Sequence, residues 1–324
     1  MMTNPLRNER GIALILVLLA VSVIVVLTLQ LNIASRAQVH EAANLSDGIR
    51  VLYIAKSGVF AGMGLLSEDR GDADTLNEAW ARTEVIGEQS KDYFEGGRLE
   101  LTIEDESGKI NINKLVQGNE FNADVKGVLT RLLSQPEFKL QPQEVEDILC
   151  AVKDWIDADS VVTANGAENA YYQGLGKSTT VRNGPMESID ELLLVRGVTR
   201  ELFHGTRERP GLARFLTVYG EGSININTAP KEVLRALSPS ITEDAANRMD
   251  DYRRNPANDL TNPAWYRRVA GLSATAIDAV PLATRSDCFQ LLSTGHLGTM
   301  KRTIRGIVKR DSDRKLSIVA WRMG

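Results

Sequence analysis

The sequence predicts an α+β chain: a long N-terminal helix packed on a small antiparallel sheet, with a large all-α block inserted between the strands. Three observations carry this. An apolar run near the N-terminus passes without a break into a helical pattern, strand-like alternation occurs on both sides of the centre, and a proline-punctuated helical stretch lies between them. The chain has 324 residues, a formal net charge of −4, 43% hydrophobic and 25% charged residues. That mix excludes wholesale disorder, and the acidic balance disfavours a general nucleic-acid coat.

The N-terminal run covers residues 12–29, where only Ser22 and Thr28 are polar; no charge falls between Gly11 and Arg36. As a helix it spans about 27 Å, close to the apolar thickness of a bilayer. Residues 12–31 are therefore assigned to the membrane. Arg7 and Arg10 precede the run, which places the short N-terminal segment in the cytoplasm and the remainder beyond the membrane. A cleaved signal peptide fits poorly, because the run is long and no small-x-small site follows it. A plain signal anchor and a short charged leader ending at Gly11 remain, and the apolar run begins at Ile12 with no spacer. The helical pattern continues to residue 66 without proline, with apolar residues at Ile49, Leu52, Tyr53, Val59, Phe60, Met63 and Leu66. Gly58, Gly62 and Gly64 weaken this helix but allow another element close approach.

Residues 98–103 alternate as a strand, residues 104–108 read as a turn, and residues 109–114 as a returning strand. Helices are expected at 125–133, 144–156, 188–195, 231–237 and 243–254, within a block from 115 to 284. A short repeat lies inside it: Gly108-Lys109-Ile110-Asn111-Ile112-Asn113 matches Gly222-Ser223-Ile224-Asn225-Ile226-Asn227, each ahead of a helical Val-Leu pair. From 285 to 324 strands return as a three-stranded antiparallel meander over 286–293, 301–310 and 316–322. Residues 299–324 hold eight Lys/Arg and two Asp, a solvated basic face or a contact for acidic partners.

Chemistry-bearing constellations are few. Asp157, Asp159 and Glu168 occupy relative positions 1, 3 and 12 of a polar loop, as EF-hand ligands do. Val161 and Val162 stand where a ligand and a glycine belong, so the loop is not an EF-hand, and a solvated acidic loop is the alternative. Cys150 and Cys288 are candidates for one disulfide outside the cytosol. Gly174-Leu175-Gly176-Lys177-Ser178 imitates the end of a P-loop, but Tyr171 stands where its first glycine should be. No G-x-S-x-G elbow is present and no carboxylate pair stands out, so an enzyme is not expected.

Together, Gly11-Ile12, the long helix, Asn111/Asn113, Asp154-Trp155-Ile156-Asp157, Leu193-Leu194-Val195-Arg196-Gly197-Val198 and Ile224 to Pro230 resemble the type IV pilin-like proteins, and among them the minor pseudopilin K family of type II secretion. Pilins usually carry glutamate five residues into the mature chain, and here that position is Leu16. Its loss is typical of the K family, whose member at the filament tip has no preceding subunit. The resemblance implies a prepilin leader over 1–11 cut by prepilin peptidase between Gly11 and Ile12, and a pilin-like helix over 12–66. It further implies pilin-like strands over 67–114 and 285–324, and an inserted α-domain of SAM or helix-hairpin-helix type over 115–284. Implied partners are minor pseudopilins I and J, other pseudopilins of the filament and the inner membrane; no nucleic acid is expected. It also implies a structural Ca²⁺ on Asp157, Asp159 and Glu168. The alternative is a competence-type minor pilin that binds DNA through the hairpin around Gly197, although Glu187, Asp190, Glu191 and Glu201 crowd that segment.

Overall fold

A computed structural model describes residues 9–175, 180–277 and 280–324. Most of the leader and the Gly176-Lys177-Ser178 end of the P-loop look-alike lie outside these residues. Helix α1 (Glu9–Glu68) runs 60 residues, about 90 Å. Its first half projects from the body, with Ile12, Leu16 and Leu27 all exposed. Among the described residues it is the one helix long and apolar enough to cross a membrane, with a mean hydropathy of 3.3 over its best window. Gly11 and Ile12 sit in its first turns, without a break.

The second half of α1 lies on a sheet. After α2 (Glu84–Tyr93), strand β1 (Gly97–Asp105) enters, and the chain then leaves for the inserted domain. That domain holds β2 (Ile110–Asn111), β3 (Val116–Gln117), β4 (Glu120–Phe121), α3 (Ala123–Leu133), α4 (Pro142–Ile156), α5 (Asn169–Gly174), α6 (Arg200–His204), β5 (Leu216–Thr217), β6 (Ile224–Asn225), α7 (Lys231–Leu237), α8 (Glu243–Arg254) and β7 (Leu282–Ala283). The chain returns as β8 (Cys288–Leu297), β9 (Met300–Arg310) and β10 (Leu316–Met323). The four long strands pair antiparallel in the order β1-β8-β9-β10, so the C-terminal meander expected from the sequence is present.

Ala55, Val59 and Leu66 of α1 pack on Leu101, Ile103, Phe289, Leu291, Ile304 and Val308 of the sheet. Trp80 closes this core with its ring edge-on to Phe289, centroids 5.3 Å apart. Glycine brings the helix unusually near. A Cβ on Gly58 would stand 2.3 Å from Ser293 Oγ, and one on Gly295 of β8 only 2.5 Å from the Val51 carbonyl oxygen.

The expected return strand over 109–114 is not formed. Only Ile110 and Asn111 are extended, and they pair in parallel with Leu216 and Thr217; β1 pairs with β8 instead. The Asn111 side chain accepts the Asn113 backbone N–H, an Asx turn that ends the strand and starts a 3-10 turn over Ile112–Leu115. Ile110, Ile112 and Leu115 belong to the core of the inserted domain, so that domain begins just after Asp105 rather than at 115. Residues 67–96 also carry α2, not strand.

The sequence repeat is a structural repeat. Asn225 accepts the Asn227 N–H as Asn111 does that of Asn113, and Ile224-Asn225 pairs in parallel with Leu282-Ala283. Each copy leads into a helix, and these helices, α3 and α7, pack together through Val128, Leu129, Leu132, Val233, Leu234 and Leu237. The two copies also meet: a Cβ on Gly108 would stand 2.8 Å from Thr228 Oγ1.

Where the inserted domain joins the sheet, carboxylates are buried among donors. Asp105 accepts hydrogen bonds from Ser107 N, Ser286 Oγ, Thr228 Oγ1 and Asn225 Nδ2, and burial pushes its pKa up to about 6. Arg310 forks between Asp69 and Asp74. Glu78 accepts from Trp80 Nε1; burial first, then Asp69 and Asp74, push it up to about 7. A raised native pKa means the folded chain holds a proton that the unfolded chain has released, so stability falls as pH rises through that window. We expect Glu78→Gln to lose less stability than the wild type between about pH 5 and about pH 8 in urea titrations. Parallel curves would show that Glu78 does not titrate there.

Candidate metal centre

Helix α4 sets the site. Its start is fixed by Glu144, whose carboxylate accepts the Gln141 N–H at 2.7 Å, and by Pro142 in the first turn. Val145, Ile148, Leu149, Val152, Trp155 and Ile156 anchor it in the core. Trp155 is held edge-on to Tyr172 and donates to Glu191 at 3.2 Å. The last turn delivers Asp157 at the C-terminal end, and the chain then wraps through residues 158–168.

The three carboxylates singled out in the sequence come together: Asp157, Asp159 and Glu168 each offer an oxygen within 4.8 Å of the others. Asp157 and Glu168 are buried, at 1% and 3% exposure. Among the described residues, Asp157 Oδ1 and Glu168 Oε1 are buried with no hydrogen-bond partner. Unpaired buried carboxylate oxygens are costly, and a cation between them would satisfy both. Oxygen ligands at 2.3–2.6 Å from a shared ion lie up to about 5 Å apart, which matches this spacing. An all-oxygen donor set fits a hard ion such as Ca²⁺ and not the nitrogen and sulfur preferences of zinc. Burial, then neighbouring Asp154, Asp157 and Asp159, raise the Glu168 pKa against the pull of the Asn169 N–H. Val161 and Val162 are exposed at the loop's outer edge, so it is not wound as an EF-hand.

Sequence reasoning missed four groups that shape the loop. Asp154 is fully buried and accepts the Thr163 N–H with both oxygens; burial raises its pKa. Gly166 leaves room for it, since a Cβ there would fall 2.1 Å from Asp154 Oδ2. Arg196 donates to the carbonyl oxygens of Asn165 and Gly166 and stacks on Tyr171. Lys153 Nζ donates to Asp157 Oδ2 at 2.5 Å and to Thr163 Oγ1 at 2.9 Å. Burial alone would lower its pKa, but Asp157, Asp154 and Asp159 outweigh that and raise it. The i,i+4 spacing of Lys153 and Asp157 on a helix was the available sequence signal.

The remaining candidates lie elsewhere. Leu16 is exposed on the projecting half of α1. Cys150, in α4, and Cys288, at the start of β8, are both buried free thiols, so the disulfide considered from the sequence is not formed. One lies in the core-facing region of the inserted domain and the other in the sheet, and burial pushes Cys288 up to about 12. Gly197 makes the hairpin turn at φ +87°, packed on Ile148. Arg196 beside it is committed to the acidic loop.

Two family models, both described as type II secretion system protein K, match residues 108–219 and 224–259. Each stretch starts at or near one Ile-Asn strand of the structural repeat. Over these residues the chain resembles the type II secretion system protein K family, and full-length relatives agree. It is 27% identical to the type II secretion system protein K of Pseudomonas aeruginosa, over 98% of this chain and 94% of that one. It is 24% identical to that of Aeromonas hydrophila, over 96% of each. A chain from the crystal structure of the GspK-GspI-GspJ complex of enterotoxigenic Escherichia coli shares the fold: TM-score 0.70 at 19% identity, covering 88% of this chain and 99% of that chain. These likenesses support a minor pseudopilin role in type II secretion, and the N-terminal helix is suited to a membrane anchor.

Proposed function

We propose that this minor pseudopilin stands at the tip of the pseudopilus and initiates its assembly with minor pseudopilins I and J, so that folded proteins can be exported across the outer membrane. The carrying observation is the two-part surface of α1. Its first half is exposed and almost entirely apolar over residues 12–29, and its second half leaves Leu45, Ile49, Tyr53 and Phe60 exposed although the other side is buried on the sheet. Such a face is suited to packing against like helices. The name of the structural relative, a GspK-GspI-GspJ complex, supports I and J as the partners. Leu16 supports the tip position, because a carboxylate in apolar surroundings is costly unless a neighbouring subunit pairs it. The inserted domain would then obstruct addition of a further subunit above it.

In this reading prepilin peptidase cuts between Gly11 and Ile12, the N-terminus faces the cytoplasm, the folded part lies in the periplasm, and other pseudopilins of the filament follow below. The loop of Asp157, Asp159 and Glu168 holds a structural Ca²⁺, supported by its two unpartnered buried oxygens. Co-purification from membranes tests the assembly. The full chain should hold I and J of the same system through size exclusion in detergent, and recovery of each alone would overturn the reading. Gly11→Val should leave only uncut precursor on mass analysis of the membrane-extracted chain. A mature N-terminus at Ile12 in that variant would reject the leader assignment.

A further inference from the structure

Lys153 projects from the last turn of α4 into the same cage as the three carboxylates, and it is 5% exposed. Its ammonium bridges the two ends of the cage, donating to Asp157 Oδ2 on the helix side and to Thr163 Oγ1 on the loop side. It is the one lysine or arginine that forms an ion pair with any of Asp157, Asp159 or Glu168 among the described residues. We propose that Lys153 is a resident counter-cation that closes this loop when calcium is absent and is displaced from Asp157 when calcium enters.

The charge balance requires an exchange. Three carboxylates face one another, and an ammonium offsets only part of their repulsion, which leaves Asp157 Oδ1 and Glu168 Oε1 unsatisfied. A divalent ion takes up both oxygens. Bound to Asp157, it would also stand within a few ångström of the ammonium on that same carboxylate, and the two positive charges repel strongly where water is excluded. The lysine stem is flexible and its head can move off Asp157, whereas a guanidinium fork in its place would be held by several bonds. The loop then has two closed forms, one weak and built in, the other stronger and dependent on the metal. Calcium affinity is correspondingly lower than three buried carboxylates alone would give, because each binding event must first displace the lysine.

This inference rests on the calcium reading, and calorimetric titration of CaCl₂ into the EGTA-treated, detergent-solubilised full chain separates the two. Lys153→Met keeps the length and removes the charge; it should bind calcium about tenfold more tightly than wild type while melting lower in EGTA. Lys153→Gln should move both readouts in the same directions. Calcium binding by the wild type with unchanged affinity in both variants would overturn the role of Lys153 and leave the calcium site standing. No calcium heat from wild type or variants would remove both.

Discussion

Gly295→Val should be among the most damaging single substitutions in the folded part. A Cβ there meets the Val51 carbonyl oxygen at 2.5 Å and the Ala55 nitrogen at 2.7 Å, both backbone atoms of α1. A flexible side chain could move aside, but a helix backbone cannot without lifting off the sheet. Gly295 lies on β8, paired with Leu99 on one side and Arg302 on the other, so the strand cannot retreat either. Overpacking of this kind costs about 3 kcal/mol, and separation of the Ala55, Val59 and Leu66 contacts adds to it. Gly64→Ala is the matched control: nothing lies within 4 Å of its added Cβ, so the variant gains helix propensity of about 1 kcal/mol. Thermal unfolding in detergent should therefore place Gly295→Val well below wild type and Gly64→Ala at or above it. Equal melting of the Gly295 variant and wild type would mean that helix and sheet do not touch as described.

The second large effect concerns the loop after α4. Asp157→Ala with Glu168→Ala removes both unpartnered buried oxygens and two of the three clustered carboxylates. Adding calcium should raise the melting temperature of the wild type and leave that of the double variant unmoved. A ligand at 100 times its dissociation constant adds about 2.7 kcal/mol, a shift of several degrees for a protein of this size. In EGTA the comparison differs: the double variant loses like-charge repulsion but strands Lys153, so its melting point moves little. A calcium response that survives in the double variant would place the ion elsewhere. Gly166→Ala supplies a milder form of the same test, since its Cβ would displace Asp154 from the Thr163 N–H.

Much of this was legible in the sequence, and the failures have physical causes. Long periodic segments were read correctly because burial of one face fixes their period: α3, α4, α7 and α8 lie where apolar spacing put them, as do β8, β9 and β10. The segment around Ile110 to Asn113 alternates like a strand. Each asparagine, however, can fold its side chain back on the backbone two residues on, and that local bond ends the strand after two residues. Helix α2 was missed because its one buried residue is Ser90, which leaves little apolar period to read. The three loop carboxylates were found by spacing, whereas Asp154, Gly166 and Arg196 act through contacts that only the folded loop creates. The possible disulfide failed for a related reason: nothing in the sequence tells how far apart two buried thiols lie.

The point where the inserted domain departs also bears on how such a protein arises. Asp105 is the last residue of β1 and stands opposite Phe289, one residue into β8. Between them, Ser107 Oγ donates to the Asp287 carboxylate, so outgoing and returning chains run side by side. To the sheet, everything from Glu106 to Asp287 is therefore only the loop of a hairpin. Its length is invisible to the strand register, and a tight turn of a few residues would close the same meander. An ancestor with such a turn could accept a duplicated helical unit at this one place while its shaft and sheet stayed unchanged.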